Sequence, residues 1–150
     1  MRSKQKGFSL IELLIVVAII LIIAAIAIPN LIRSKMAANQ ASAVASLRTL
    51  NTSAILYQTN YNLFPSKLSD MALNGAITST AADLIDNVLA QGTKSGYSFT
   101  WAGGGTSGAY TINADPVGSG GQIHYFTDQS LVIRSNATHA AAATDPAIGN

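Results

Sequence analysis

The sequence contains no cysteine, which excludes disulfides, thiolate chemistry and cysteine metal sites while leaving the redox compartment open. Charge is almost as scarce: Asp, Glu, Lys and Arg make up 11% of the 150 residues, against 49% hydrophobic. Of the seven acidic residues only one is a glutamate, Glu12. Histidine occurs twice, at His124 and His139, and neither has a nearby nucleophile or second ligand that would make a catalytic or metal pair. No glycine lies between Gly7 and Gly75 and no proline between Pro29 and Pro65, so Pro29 alone interrupts an otherwise helix-compatible stretch. No self-similarity on the order of 20–50 residues appears, which argues against a solenoid or propeller.

What is present is unevenly placed. Apolar residues crowd into the first fifth, the pattern of a membrane segment joined to a soluble domain. Three of the nine basic residues, Arg2, Lys4 and Lys6, precede Gly7; the six that remain face seven acidic residues, a net of −1. The basic balance therefore reports a leader, and no basic patch remains to suggest specific nucleic-acid binding. From Phe8 to Ile28 the only interruptions are Ser9 and Glu12. As a helix these residues reach roughly 31 Å at ~1.5 Å per residue, about the thickness of the hydrocarbon core. Lys and Arg precede the run and none follows until Arg33, so the N-terminus is expected to stay cytoplasmic and the remainder to be exported.

Beyond Pro29, where a kink is expected, Val44, Leu47, Leu50, Ala54, Ile55 and Tyr61 recur at near-helical spacing among polar residues. The spacing predicts one helix from about Phe8 to about Asn60, its second half laying an apolar stripe on a soluble domain, with Phe64-Pro65 as the stop. Ala81 to Ala90 reads as a short helix capped by Thr80 or Ser79. The period then changes to two. Tyr97, Phe99 and Trp101, then Tyr110 and Ile112, then Ile123 to Phe126 and Leu131 to Arg134 give an antiparallel meander of about four strands. The alternate aromatics Tyr97, Phe99 and Trp101 read as core rather than as a base-stacking platform. The Gly103 to Gly108 loop lacks the lysine and following helix of a phosphate-binding loop and reads as a hairpin turn. The last fifteen residues carry no pattern and read as an extended or disordered tail. Asp115 and Asp128, two isolated aspartates, fall short of a calcium site. Asn51-Thr52-Ser53 and Asn136-Ala137-Thr138 match the glycosylation pattern without further support.

Three readings fit the N-terminus. A secretory signal peptide would be cut after Ala25-Ile26-Ala27, and a plain anchor would not be cut at all. Glu12 weighs against both, because an ionised carboxylate inside a bilayer costs about 2.5–3.5 kcal/mol on insertion scales and needs a partner. Between Phe8 and Ile28 there is no Lys, Arg or His. Cleavage after Gly7 would create one: the new amine of Phe8, four residues and one helical turn from Glu12.

The run Lys6-Gly7-Phe8-Ser9-Leu10-Ile11-Glu12-Leu13-Leu14-Ile15, with Pro29 further on, resembles the processing and methylation motif of type IV pilins and type II secretion pseudopilins. The resemblance covers residues 1–30 strongly and the helix to about Asn60 by architecture. It implies an α+β, pilin-like fold: a long helix kinked at Pro29 and packed against the C-terminal sheet. It also implies three parts, a leader 1–7 removed by a prepilin peptidase, a membrane and filament-core helix 8–28, and a periplasmic or extracellular globular domain 29–150. Phe8 would be N-methylated. Leu13, Leu14, Val17, Ile20 and Leu21 would pack in the filament core, and Phe8, Glu12 and Pro29 would serve assembly. The implied partners are identical subunits, the peptidase, the inner membrane and a pilus assembly platform; no cofactor, metal or enzymatic activity is implied. The expected product is a major-type pilus subunit on the cell surface, the alternative a pseudopilin of a secretion or DNA-uptake machine. Family glycines within the apolar half of the helix and a C-terminal disulfide loop are missing here.

Overall fold

The computed structural model describes residues 7–73, 77–106 and 108–149. Residues 1–6 of the expected leader, Gly75 and Ser107 of the glycine loop lie outside that set. The chain divides into two compact units, the first ending at Lys35 and the second running from Met36. Helix α1, Leu10–Tyr61, contributes to both. It continues through Pro29, which removes one amide donor but does not end the helix. Asn62, at φ 59°, does end it, with its amide on the Gln58 carbonyl at 2.8 Å. Asparagine tolerates this left-handed position better than other side chains.

In the second unit a five-stranded antiparallel sheet runs in simple sequence order: β1 Thr93–Lys94, β2 Tyr97–Gly103, β3 Tyr110–Pro116, β4 His124–Asp128 and β5 Arg134–Asn136. The expected meander is there with one more strand, because Thr93–Lys94 pairs back onto Tyr97–Ser98 through a tight turn at Ser95-Gly96. The final strand is also displaced. Leu131 sits at φ 63°, which no strand accommodates, so pairing with β4 starts only at Arg134.

The upper half of α1 meets the inner face of this sheet. Leu47, Leu50, Ala54 and Tyr57 from the helix and Phe99, Tyr110, Ile112, Ala114 and Tyr125 from the strands form one buried cluster. One member of the expected stripe is corrected and one residue outside it is added. Ile55 faces out, whereas Tyr57 is buried and donates its hydroxyl to the Ser79 carbonyl. On β4 three successive residues, Tyr125, Phe126 and Thr127, are buried, so both sheet faces are covered there. The tail supplies the outer cover: Asn113, opposite Phe126 in the ladder, donates to the Ala141 carbonyl at 3.0 Å, and Ala141 is buried.

The tail is therefore structured, contrary to the expectation of an extended or disordered end. Ile148 donates to the Ile133 carbonyl at 2.9 Å, and Asp145 accepts from Asn136 at 2.8 Å and from the Ala142 amide at 2.8 Å. Helix 81–90 is corrected too. Only Asn87–Ala90, α2, is helical, capped by Asp86, whose carboxylate accepts from the Leu89 amide at 2.7 Å. Ala81 to Ile85 is instead non-helical, with Asp83 at φ 52°, because the Leu84 and Ile85 amides bond to the Met71 carbonyl of the 3-10 turn Leu68–Met71. The glycine loop is the β2–β3 hairpin and docks on the end of the α1 connection. Gly105 donates to the Phe64 carbonyl at 2.8 Å, and a Cβ at Gly104 would fall 1.8 Å from the Pro65 carbonyl oxygen.

Candidate functional site

Gly7, Phe8 and Ser9 precede α1, and all three are exposed. The Gly7–Phe8 bond thus lies in non-helical backbone, the form a peptidase can bind in extended conformation. Glu12 is in the first turn of α1, where its negative charge complements the helix dipole. Its Oε2 accepts from the Ser9 amide at 3.0 Å. Ser9-Leu10-Ile11-Glu12 is the Ser-x-x-Glu pattern in which the fourth residue reaches back to satisfy an orphan donor at the helix start. The Ser-x-x-Glu spacing alone signals this cap. The carboxylate does have a partner in its own chain, and the bond turns it toward the Phe8 end. No hydrogen bond or ion pair joins Phe8 to Glu12 among the described residues, as expected while the Phe8 nitrogen is an uncharged amide.

Leu13, Leu14, Val17, Ile20 and Leu21 are all solvent-facing in the isolated chain, and so are the other large apolar residues from Phe8 to Ile32, at 45% to 79% exposure. A helix apolar on every side has to be buried in lipid or among other helices. The magnitudes favour burial decisively. Each large side chain removed from water contributes about 1.5–3 kcal/mol, so the segment as a whole outweighs the few kcal/mol that one carboxylate costs. The apolar surface therefore dominates the energetics of this segment, and Glu12 is a minor opposing cost. One helix of the described residues is long and apolar enough to cross a membrane, and it is α1.

The candidates in the second unit do not make a catalytic centre. His124 Nδ1 lies 2.5 Å from Asp115 Oδ1 across the β3–β4 ladder, and His139 bonds Asn136 in the tail. Asp128 stands opposite Thr111, four residues along β3 from Asp115, a separation of roughly 13 Å that no single cation bridges. Among the described residues no three His, Cys, Asp or Glu side chains converge. Tyr97 and Phe99 are buried core, and Trp101 stacks on Tyr110 at 4.5 Å and 8°.

Two polar links went unseen in the sequence. Asn51 Nδ2 donates to Thr127 Oγ1 at 2.9 Å while its Oδ1 accepts from the Tyr110 hydroxyl at 3.1 Å. Ser53 donates to the Leu84 carbonyl at 3.0 Å. Asn51 and Ser53 resemble solvent-facing helix residues in sequence, and only the long-range partners explain their burial. The buried tyrosines carry a testable signature. Desolvation, with smaller contributions from Tyr125 and Asp128 respectively, pushes the hydroxyls of Tyr97 and Tyr110 up to about 12, from an ordinary value of about 10. Because the folded-state values are raised, this contribution to stability is complete below about pH 10 and disappears as pH rises through about 12. Burial also raises Tyr57 and Tyr125, so alkaline titration by tyrosinate absorbance should show late-titrating tyrosines, Tyr97 and Tyr110 among them, whose ionisation coincides with a change in Trp101 fluorescence. Five tyrosines titrating together near 10 with the fold intact would contradict the burial.

Comparison with known proteins agrees with this arrangement. Residues 2–28 match the family described as the prokaryotic N-terminal methylation motif. The type IV major fimbrial protein FimA of Dichelobacter nodosus is 33% identical over 149 residues, covering 97% of this chain and 80% of FimA. The type IV wide pilus major component PilA4 of Thermus thermophilus is 36% identical over 101 residues, 67% of this chain and 76% of PilA4. The chain belongs to the type IV pilin and type II secretion pseudopilin family. Type II secretion system core protein G of Vibrio cholerae is 33% identical over 75 residues, half of each chain. These pilin and pseudopilin relatives are structural subunits and not enzymes, and the long helix on an antiparallel sheet is the pilin-like architecture.

Proposed function

We propose that this pilin-family chain is the structural subunit of a type IV pilus, made as a precursor and polymerised through its N-terminal helix. A prepilin peptidase removes residues 1–7 after Gly7 and the new Phe8 amine is methylated. Residues 8–28 hold the subunit in the inner membrane in a single pass with a cytoplasmic N-terminus, and residues 29–150 lie outside it. At an assembly platform the subunit leaves the bilayer, and the apolar helix exchanges lipid for like helices, with Leu13, Leu14, Val17, Ile20 and Leu21 among the packing residues. Glu12 then neutralises the Phe8 amine of an adjacent subunit. Opposite charges in a low-dielectric core attract strongly, while either alone is left with an uncompensated desolvation cost.

The observation that carries the reading is the all-round exposure of the apolar helix, which leaves the isolated chain with a surface that only lipid or further copies can cover. The Glu12 capping bond adds to it, since the carboxylate is already directed to the end at which cleavage would create a cation. The pilus reading is preferred over the pseudopilin alternative because pilus components match over two thirds or nearly all of the chain, against half for core protein G.

Intact-mass measurement of the mature chain is the direct test. A chain beginning at methylated Phe8 is expected. A start at Ile28 would make the segment a signal peptide, and an uncut Met1 would make it a plain anchor; either would end the proposal. Overexpression separates the remaining pair: long surface filaments of this chain are expected, whereas loss of exoprotein release on deletion with surface fibres intact would favour the pseudopilin.

A further inference from the structure

Nearly every charged side chain in the second unit is satisfied within it. Lys94 pairs with Asp86 at 2.8 Å, Lys67 lies 4.0 Å from Asp70, Asp115 meets His124, Arg134 donates to the Asp145 carbonyl and Asp128 accepts from the Ser130 amide. Two are exceptions. Among the described residues, the Arg48 guanidinium and the Asp83 carboxylate make no hydrogen bond or ion pair, and both residues are exposed.

Each sits at an odd piece of surface. Arg48 lines an open groove of about 380 Å³ whose other walls are Leu131, Val132, Ile133, Ala147 and Ile148. Leu131 is 47% exposed and is held at φ 63° by its amide bond to the Asp128 carbonyl. A bulky apolar residue in the left-handed region is strained, and here the strain presents its side chain to solvent. Asp83 is likewise held, at φ 52°, between Ala82, whose amide bonds the Asp70 carbonyl, and Leu84, whose amide bonds the Met71 carbonyl. Leu73, just beyond the Ala72–Ile85 bridge that closes this segment, adds apolar surface at 43% exposure. Strain at Leu131 points outward, to a ligand or partner; at Asp83, a residue type that tolerates the left-handed region, it is the unpaired carboxylate that does so.

The two surfaces cannot meet in one molecule. Asn51 reaches toward the Leu131 carbonyl and Ser53 binds the Leu84 carbonyl. At about 100° per residue, positions 51 and 53 stand about 200° apart around α1, on opposite edges of its buried stripe, and Arg48 lies about 60° beyond Asn51. The groove and the Asp83 segment thus flank opposite sides of the helix.

We propose that they meet between copies: the Arg48 groove of one subunit receives the Asp83 segment of the next, with Arg48 and Asp83 as the ion pair and Leu131 against Leu73 as its apolar company. Such a contact is heterologous, leaves one of each surface free at the ends, and propagates into a helix instead of closing a dimer. It rests on the filament reading above and adds to it a second, globular contact independent of the N-terminal helix.

The lack of native cysteine makes the test clean. In full-length chains expressed in cells that make filaments of the wild type, an R48C/D83C double variant should be joined into a ladder by a short bismaleimide crosslinker, which spans the reach of an Arg–Asp pair that a direct disulfide cannot, and neither single variant should. Filaments that form without a ladder would overturn the contact. Reversals R48D and D83R should each lower filament mass roughly tenfold, and the R48D/D83R combination should restore most of it, which also shows that the variants fold. Single reversals without effect, or a combination no better than either, would overturn it. If the wild type itself makes no filament, the function proposed above fails first and this contact falls with it.

Discussion

Glu12→Gln should reduce filament yield about a hundredfold or more while leaving the subunit folded and membrane-inserted. Glutamine is nearly isosteric, and its amide oxygen can still accept from the Ser9 amide as the Glu12 carboxylate does at 3.0 Å. The helix start is therefore retained and only the charge is lost. In the filament proposed above, that change would leave the Phe8 amine of a neighbour buried without a counter-ion. Removing one partner of a buried pair costs about 3–5 kcal/mol, and about 1.4 kcal/mol is a factor of ten. In the membrane, by contrast, a neutral side chain is less costly than a carboxylate, so insertion should be unimpaired or improved. Glu12→Ala would lose the cap as well, and comparing the two variants separates charge from capping. Quantitative filament recovery and the helical rise are the readouts. Normal yield with normal rise in Glu12→Gln would show that this carboxylate does not set the register.

Asn51→Leu should destabilise the second unit by about 3 kcal/mol. The substitution keeps volume but strands two buried hydroxyls, that of Tyr110, which gives its proton to Asn51, and that of Thr127, which accepts from it. Each unsatisfied group costs about 1–3 kcal/mol, partly offset by the apolar gain of leucine. Against a total stability of roughly 5–15 kcal/mol the loss is large. Combining Asn51→Leu with Tyr110→Phe and Thr127→Val should recover much of it, because all partners are then apolar. Denaturant unfolding of the full chain in mild detergent, followed through Trp101, is well suited, as this sole tryptophan stacks on Tyr110. A loss below about 0.5 kcal/mol, the ordinary range of surface changes, would mean that the three groups do not form a buried network.

The parts of the fold that were legible in the sequence have strong, one-dimensional signals. An uninterrupted apolar run gives α1 its first half whatever surrounds it, and the helical recurrence of Leu47, Leu50 and Ala54 identifies the buried face. Alternation at Tyr97, Phe99 and Trp101 and at Tyr110 and Ile112 finds β2 and β3. Failures cluster where a distant group decides. Ala81 to Ala90 has helical composition, but the Met71 carbonyl captures two of its amides and keeps the first half out of the helix. Leu131 to Ile133 looks like strand, yet backbone pairing at Leu131 is forfeited to a left-handed turn. The tail has no periodicity because it is fixed by hydrogen bonds from Asn113, Asn136 and Ile148 and not by a repeating apolar face.

The sequence alone determined the family and the chemistry of the N-terminus: one acid in an apolar run, a cleavage motif four residues before it and nothing cationic between. Those are local facts, and local spacing carries them. Tertiary structure decided which polar residues are buried, because Asn51 and Ser53 bond partners 80 and 31 positions away, and it decided which charges go unanswered and which loops are strained, because those follow from how the chain turns back on itself. Arg48 and Asp83 look like any other surface charges in the chain. Only the folded unit shows that their neighbours are all paired and that these two face opposite ways.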